Sequence, residues 1–349
     1  MTTLDPAAIE FGLDTFGDLP READGSLFTY SKAIRATLEE AVLADSIGVD
    51  AFTVGEHHRP DYAISSPPTM LAGIATATNR MKLASGVTVL SSDDPVRVFE
   101  QFATLDALSN GRAEVILGRG SFTESFPLFG YKLEDYNRLF EEKLNLWAEI
   151  VKEEPVTWSG QTRPALENAD LYPKTDRGLT TWVGVGGSPK SVVRTARYGF
   201  RLMLAIIGGA PVRFKPYVDL YKQATEQLGT TTYPVGVHSP GFVADSDEEA
   251  KKIIFKEYAA AQNRIGVTRG WAPLTRDRFE AEINDGALTV GSPETVAKKI
   301  ANTVQTLDLG RYDMVYSTVG NIPHAARMRS VELYGTKVIP LVREILAAN

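Results

Sequence analysis

The sequence predicts a closed parallel barrel of the (β/α)8 type. Three observations predict it: eight short apolar runs, helical spacing between successive runs, and 349 residues without a composition break that could mark a linker. Residues 1–349 therefore read as one domain.

The runs come in order along the chain: IEFGLDTF (9–16), AFTVGEHH (51–58), KLASGVTVL (82–90), RAEVILGRG (112–120), TTWVGVGG (180–187), RLMLAIIGG (201–209), PVGVHSPGFVA (234–244) and YDMVYSTVG (312–320). Each is short and rich in Val, Ile, Leu, Phe or Thr, as buried strands are. Between them lie segments with helical period, such as 30–48, 95–111 and 133–151. Strand alternating with helix throughout implies parallel pairing, and eight units permit closure. An open doubly wound sheet is the alternative; regular spacing without a linker favours the closed form.

Asp94-Pro95, Ser188-Pro189 and Ser292-Pro293 each set a capping side chain before a proline suited to the first helical position. Gly48, Gly111 and Gly199 sit where helices should stop. Two stretches interrupt the alternation. Residues 153–178, after the fourth helix, read as a turn-rich excursion, and residues 263–291, after the seventh strand, show no clear period. Long insertions after barrel strands lie on the catalytic face, so the second is a candidate lid, with a surface loop or dimer contact as the plainer reading.

A net charge of −7 gives no reason to expect a polyanionic partner such as nucleic acid. The N-terminus lacks a basic segment followed by an apolar core, and no run is long enough to span a bilayer, so a cytoplasmic protein without membrane contact is expected. The absence of cysteine excludes thiolate metal sites and cysteine nucleophiles.

Residues at the C-terminal ends of barrel strands converge on one face. Glu56, His57 and His58 end the second run, and half of the four histidines stand in this dipeptide. Neighbouring residues on a strand point to opposite sides, which disfavours a two-histidine metal clasp; no metal is expected. One imidazole contacting a ligand, or a polar pair without chemistry, remain. Arg119 ends the fourth run and can offer its planar donors to a phosphate. Arg138, on the next helix, reads in isolation as a solvated charge. Gly186, Gly187 and Ser188 lead into a helix start that aims backbone N–H groups outward, with Ser188 and Ser191 as hydroxyl donors. This is neither a Walker nor a Rossmann fingerprint. Ser85 and Gly86 leave room for a flat ligand near the backbone, or for a tightly packed barrel layer.

TVGEHHRP, the block from Leu83 to Tyr131 and WVGVGGSPKSVVRTARYGF together resemble the bacterial-luciferase-like flavin-dependent monooxygenases over about residues 9–210. The resemblance implies a luciferase-like TIM barrel that binds reduced FMN, reacts it with O2 to a C4a-peroxyflavin and oxidises a small organic substrate. It places His57 as the active-site histidine, with Glu56 beside the flavin. Arg119, Arg138, Gly187, Ser188 and Ser191 would bind the phosphate, with Ser121 as a neighbouring backbone contact. Gly86-Val87 would be a non-prolyl cis peptide against the isoalloxazine. The family's reactive cysteine position reads Gly118, an acidic phosphate-loop residue reads Gly187, an aromatic flavin contact reads Ile206, and an aspartate reads Ser125; light emission from an aldehyde is not expected. No nicotinamide-cofactor fingerprint is present, which implies a separate flavin reductase, and family habit implies a homodimer. An F420-dependent oxidoreductase of the same superfamily and a non-catalytic flavin-binding protein are the competing functions.

Overall fold

A computed structural model describes residues 5–120, 122–317 and 320–348, with the side chains at 265, 268 and 269 outside the description. Eight strands form the ring: β1 (Glu10–Thr15), β2 (Ala51–Val54), β3 (Lys82–Ser85), β4 (Ala113–Gly118), β5 (Thr180–Val185), β6 (Arg201–Ala205), β7 (Val235–Val243) and β8 (Leu309–Val315). All pair in parallel in chain order, and β8 returns to β1, so no edge is left in the ring. This is the closed (β/α)8 barrel expected from the apolar runs.

Eleven numbered helices carry the chain between and beyond the strands: α1 (Tyr30–Ser46), α2 (Pro67–Ala77), α3 (Pro95–Leu108), α4 (Tyr136–Ile150), α5 (Pro189–Arg197), α6 (Lys215–Leu228), α7 (Asp247–Arg269), α8 (Arg276–Asn284), α9 (Pro293–Leu307), α10 (His324–Leu333) and α11 (Ile339–Ala347). The proline-led starts fall where the sequence put them. The Asp94 side chain accepts from Val96 N at 2.9 Å and the Ser292 hydroxyl from Thr295 N at 3.4 Å. Ser188 occupies the cap of α5, but its side chain makes no capping bond.

Three elements differ from the sequence reading. The third run is two pieces, because the cis peptide Gly86–Val87 separates β3 from a short strand, Thr88–Val89, that pairs with β4. β8 begins at Leu309, before the apolar run at Tyr312, because Arg311 points into the barrel and is paired there. The 263–291 stretch is mostly helix. Ser246 starts α7 by accepting from Glu249 N, Gly270 ends it with φ of 69°, and Thr275 starts α8. These two helices share with Phe242 of β7 and with Val290 an apolar cluster, including Ile254, Phe279 and Ile283, that is separate from the main core.

The 153–178 excursion contains an antiparallel hairpin, Val156–Trp158 with Leu166–Ala169. Trp158 donates to Asn145 of α4 at 2.9 Å, which lays the hairpin along that helix. Among the described residues no helix is long and apolar enough to cross a membrane.

Candidate active site

The C-terminal ends of the strands open on two kinds of surface. On the β2 side, the strand stops at Val54 and the chain continues as a loop, with Gly55 N bonded to Thr15 O at 2.8 Å and His57 N to Ile64 O at 3.1 Å. Strand alternation therefore does not govern His57 and His58; the loop does, and it still sends the rings to different partners. His57 stacks on Tyr62 with centroids 4.2 Å apart and meets Phe16 at 4.9 Å and Phe122 at 5.1 Å. His58 Nε2 donates to Glu56 Oε1 at 2.9 Å, and the ring stands edge-on to Phe129.

The aromatic cage sets the chemistry of His57. Burial pushes its pKa down to about 3, helped by the positive neighbour Arg59 and by His58, with Asp61 opposing. The ring is neutral at pH 7, and its Nδ1 has no hydrogen-bond partner among the described residues. A neutral imidazole can donate from one nitrogen and accept at the other, which suits hydrogen bonding to a ligand better than proton abstraction.

Glu56 links this loop to the next. One carboxylate oxygen holds His58, and the other accepts from Val89 N at 3.2 Å, just past the cis peptide. Val87 in turn fills the space beside two glycines. A Cβ on Gly118 would stand 2.6 Å from Val87 Cγ2, and one on Gly184 would stand 3.0 Å from Val87 Cγ1. That explains the glycine at position 118: with Val87 seated there, no side chain fits. Beside Glu56 a polar pocket of about 200 Å³ is lined by Thr88, Ser92, Asp93, Gln101 and Phe129 among others.

Past β4 the surface is more exposed and carries two arginines. Arg119 follows β4, donates to Asn137 Oδ1 at 2.9 Å and lies over the Tyr136 ring. Arg138, one residue after Asn137, donates to Asp135 at 2.7 Å and to Gln161 at the hairpin tip at 3.0 Å. The first turn of α4 thus brings both predicted arginines together. α5 stands alongside, tied to α4 by an ion pair between Arg194 and Glu141. Gly187 takes φ of 116°, where a side chain would be strained, and its carbonyl accepts from Tyr217 at 3.0 Å. With Ser188 not capping its own helix and Ser191 buried one turn in, the start of α5 directs its donors outward. These features fit a phosphate: two guanidinia and a helix N-terminus at neighbouring ends.

Ile206 is fully buried after β6, its N–H bonded to His238 O at 2.9 Å, and Ser125 is buried with a hydroxyl that has no partner among the described residues. Ser121 lies outside the described residues. The predicted positions form two groups, and Phe122 joins them by following Arg119 in the chain while touching His57. The insertion after β7 spans the mouth, with Glu257 pairing Arg21, Arg264 pairing Asp61 and Glu282 accepting from Gly209 N at 3.1 Å. Each of those partners belongs to a loop after a barrel strand, so α7 and α8 cover the site. Among the described residues no group of three or more His, Asp or Glu side chains could hold a metal ion.

Sequence reasoning missed Phe16, Tyr62 and Phe122, which come from three loops, and Gln161, whose hairpin had no local mark of function. A closed barrel whose strand C-terminal ends carry an aromatic wall and a pair of arginines at one mouth has the layout of a barrel enzyme. The chain belongs to the luciferase-like monooxygenase family, which it matches over residues 16–309. It is 31% identical over 325 residues to 4-hydroxyprotoasukamycin monooxygenase of Streptomyces nodosus subsp. asukaensis, covering 87% of this chain and 85% of that one. The fold is similar to the oxygenating constituent of 3,6-diketocamphane monooxygenase of Pseudomonas putida in complex with FMN, with TM-score 0.76, 20% identity and coverage of 96% and 98%. It is also similar to an F420-dependent secondary alcohol dehydrogenase, with TM-score 0.74, 17% identity and coverage of 96% and 99%.

Proposed function

We propose that the protein is a flavin-dependent monooxygenase that takes reduced FMN and O2 and oxidises a small organic substrate. The observation that carries this reading is the rim: Arg119 and Arg138, each fixed by a side-chain carbonyl, beside the uncapped start of α5. A terminal phosphate monoester is the ligand such a cluster suits. Fold alone does not choose between FMN and F420, because relatives of both kinds share it at nearly equal TM-score. The similarity to a named monooxygenase over most of the chain favours the oxygen-using reading.

In this reading Arg119, Arg138, Gly187, Ser188 and Ser191 hold the phosphate, with Ser121 beside them. Gly86 and Val87 form the bed of the isoalloxazine, Glu56 fixes the bed's far end through Val89, and Ile206 closes a side. His57 presents a neutral ring that hydrogen-bonds the reacting oxygen or the substrate, while Phe16, Tyr62 and Phe122 exclude water. Bound reduced FMN supplies two electrons to O2, so that one oxygen atom enters the substrate and the other leaves as water. The cofactor arrives reduced from a separate flavin reductase, and the working form is a homodimer.

Anaerobic titration with reduced FMN, oxidised FMN and F420, followed by an oxygen-consumption screen over aldehydes, ketones and aromatic compounds, tests the reading. Tight binding of reduced FMN and substrate-dependent oxygen uptake are expected. Binding of F420 without FMN would overturn it in favour of hydride transfer without oxygen.

A further inference from the structure

Beneath the bed lies a buried acid–base pair that the function above does not use. Asp14 at the end of β1 and His238 on β7 flank β8, with Nδ1 and Oδ2 2.5 Å apart. Asp14 has no solvent exposure and His238 has 7%. Asp14 Oδ1 and His238 Nε2 have no hydrogen-bond partner among the described residues. A buried pair left half-satisfied in this way is unusual in a settled core.

The pair lies against the underside of the cis peptide. A Cβ on Gly86 would stand 3.1 and 3.2 Å from the two Asp14 oxygens. The charged groups facing the pair come from β8 and β4. Asp313 Oδ2 is 3.6 Å from His238 Nε2, Arg311 binds Asp313 at 2.8 Å, and Arg311 also binds Glu114 at 2.5 Å. On β2 the neighbour is the uncharged Thr53, which donates to Asp313. Glu114 is balanced by Arg311 and by Lys82 at 3.2 Å, which leaves Asp313, the carboxylate nearest to the pair, to favour a proton on it.

This inference rests on the flavin reading. We propose that the Asp14–His238 pair takes up one proton when reduced, anionic FMN binds over Gly86–Val87, so that the site favours the reduced over the oxidised cofactor through a charge held below it. Solvent supplies the proton, no bond to the flavin forms or breaks, and the filled site gains one negative and one positive charge. Burial pushes the Asp14 pKa up to about 6, against His238, and the pKa of His238 is raised by Asp14 and Asp313 in spite of burial. Asp14, pushed toward neutrality and lying against Gly86, is the group onto which an added negative charge above it moves a proton most easily. Asp14 and His238 are positioning residues here, since neither touches the cofactor.

The test is anaerobic measurement of Kd for reduced and oxidised FMN from about pH 7 upward, where free reduced FMN is already anionic. In the unmodified protein the Kd for reduced FMN should rise about tenfold per pH unit until the liganded pair deprotonates, while that for oxidised FMN stays level. The double variant Asp14→Asn, His238→Gln should give level profiles for both. As a check that needs no variant, mixing in weak buffer with an indicator dye should show about one proton more taken up per site with reduced FMN than with oxidised. Equal uptake, or the same profile in unmodified and variant protein, overturns the inference while leaving the flavin reading intact. Failure of both FMN forms to bind overturns the reading and the inference together.

Discussion

Around the barrel axis, charge is buried and fully enclosed; at the rim, charge stands half in water. Arg311 is 1% exposed and is held by Glu114, Asp313 and Thr53, with Trp182 donating to the same Glu114 carboxylate. Arg138 at the rim has a side chain 50% exposed and two partners it can exchange for water. Two arginines of one chain therefore serve opposite ends. Arg311 holds the fold and has no solvent contact through which to bind, whereas Arg138 can bind because little of the fold depends on it.

Removing Arg311 should break that contrast most visibly. Arg311→Met keeps much of the volume but leaves Asp313 buried without its cation and Glu114 with Lys82 alone, a change worth about 3–5 kcal/mol of stability. Urea unfolding monitored by tryptophan fluorescence measures it. A loss below about 1 kcal/mol would mean that the two carboxylates take up protons or water at little cost, and that the axis is no more rigid than the rim.

His57 sharpens the comparison, being buried as Arg311 is but placed at the mouth. His57→Phe should lower turnover about a hundredfold or more, as loss of a positioned imidazole does, with little loss of stability at neutral pH. The pH dependence of stability carries a sign. The folded-state pKa is about 3 against an ordinary imidazole value of 6.5, so in acid the unfolded chain binds a proton that the folded chain does not. This site's contribution is complete above about pH 6.5 and is lost as pH falls toward 3, with a slope of at most about 1.4 kcal/mol per pH unit. The Phe variant should lose that part of the slope. An unchanged slope would show that the ring is protonated, and so not enclosed.

The same contrast separates what was legible in the sequence from what was not. The eight strands and the proline-led helices could be read because each depends on neighbours close in the chain, namely apolar runs and capping pairs. The rim could be read as well, because Arg119 and Ser188 stand directly at strand ends. Arg311 could not: a charged residue before an apolar run looks like a turn, and its burial depends on Glu114 and Thr53, each about two hundred residues or more away, as well as on nearby Asp313. The aromatic wall was hidden for a related reason. Phe16, Tyr62 and Phe122 sit in separate loops without period, and their contact with His57 exists only after the barrel closes. Position 118 could be compared with a family pattern, but the reason for its glycine is the Val87 side chain across the cis peptide.

The smallest expected effects lie at the rim, and they test whether its arginines are held in place or merely present. Arg138→Ala should leave unfolding free energy within about 0.5 kcal/mol of the unmodified protein, as exposed charges do. The same change should weaken FMN about tenfold or more, the worth of a charge-assisted bond to phosphate. Gln161→Ala tests the finer point. Gln161 reaches Arg138 from the hairpin along α4 without entering the barrel, and its carbonyl fixes one of the guanidinium's donors. If that support matters, its loss frees the side chain to rotate, and FMN affinity falls by a few-fold, roughly the rotamer entropy of one ordered side chain. Stability should not change measurably. An unchanged Kd would mean that Asp135 alone orients Arg138 and that the hairpin serves only to pack Trp158 against α4.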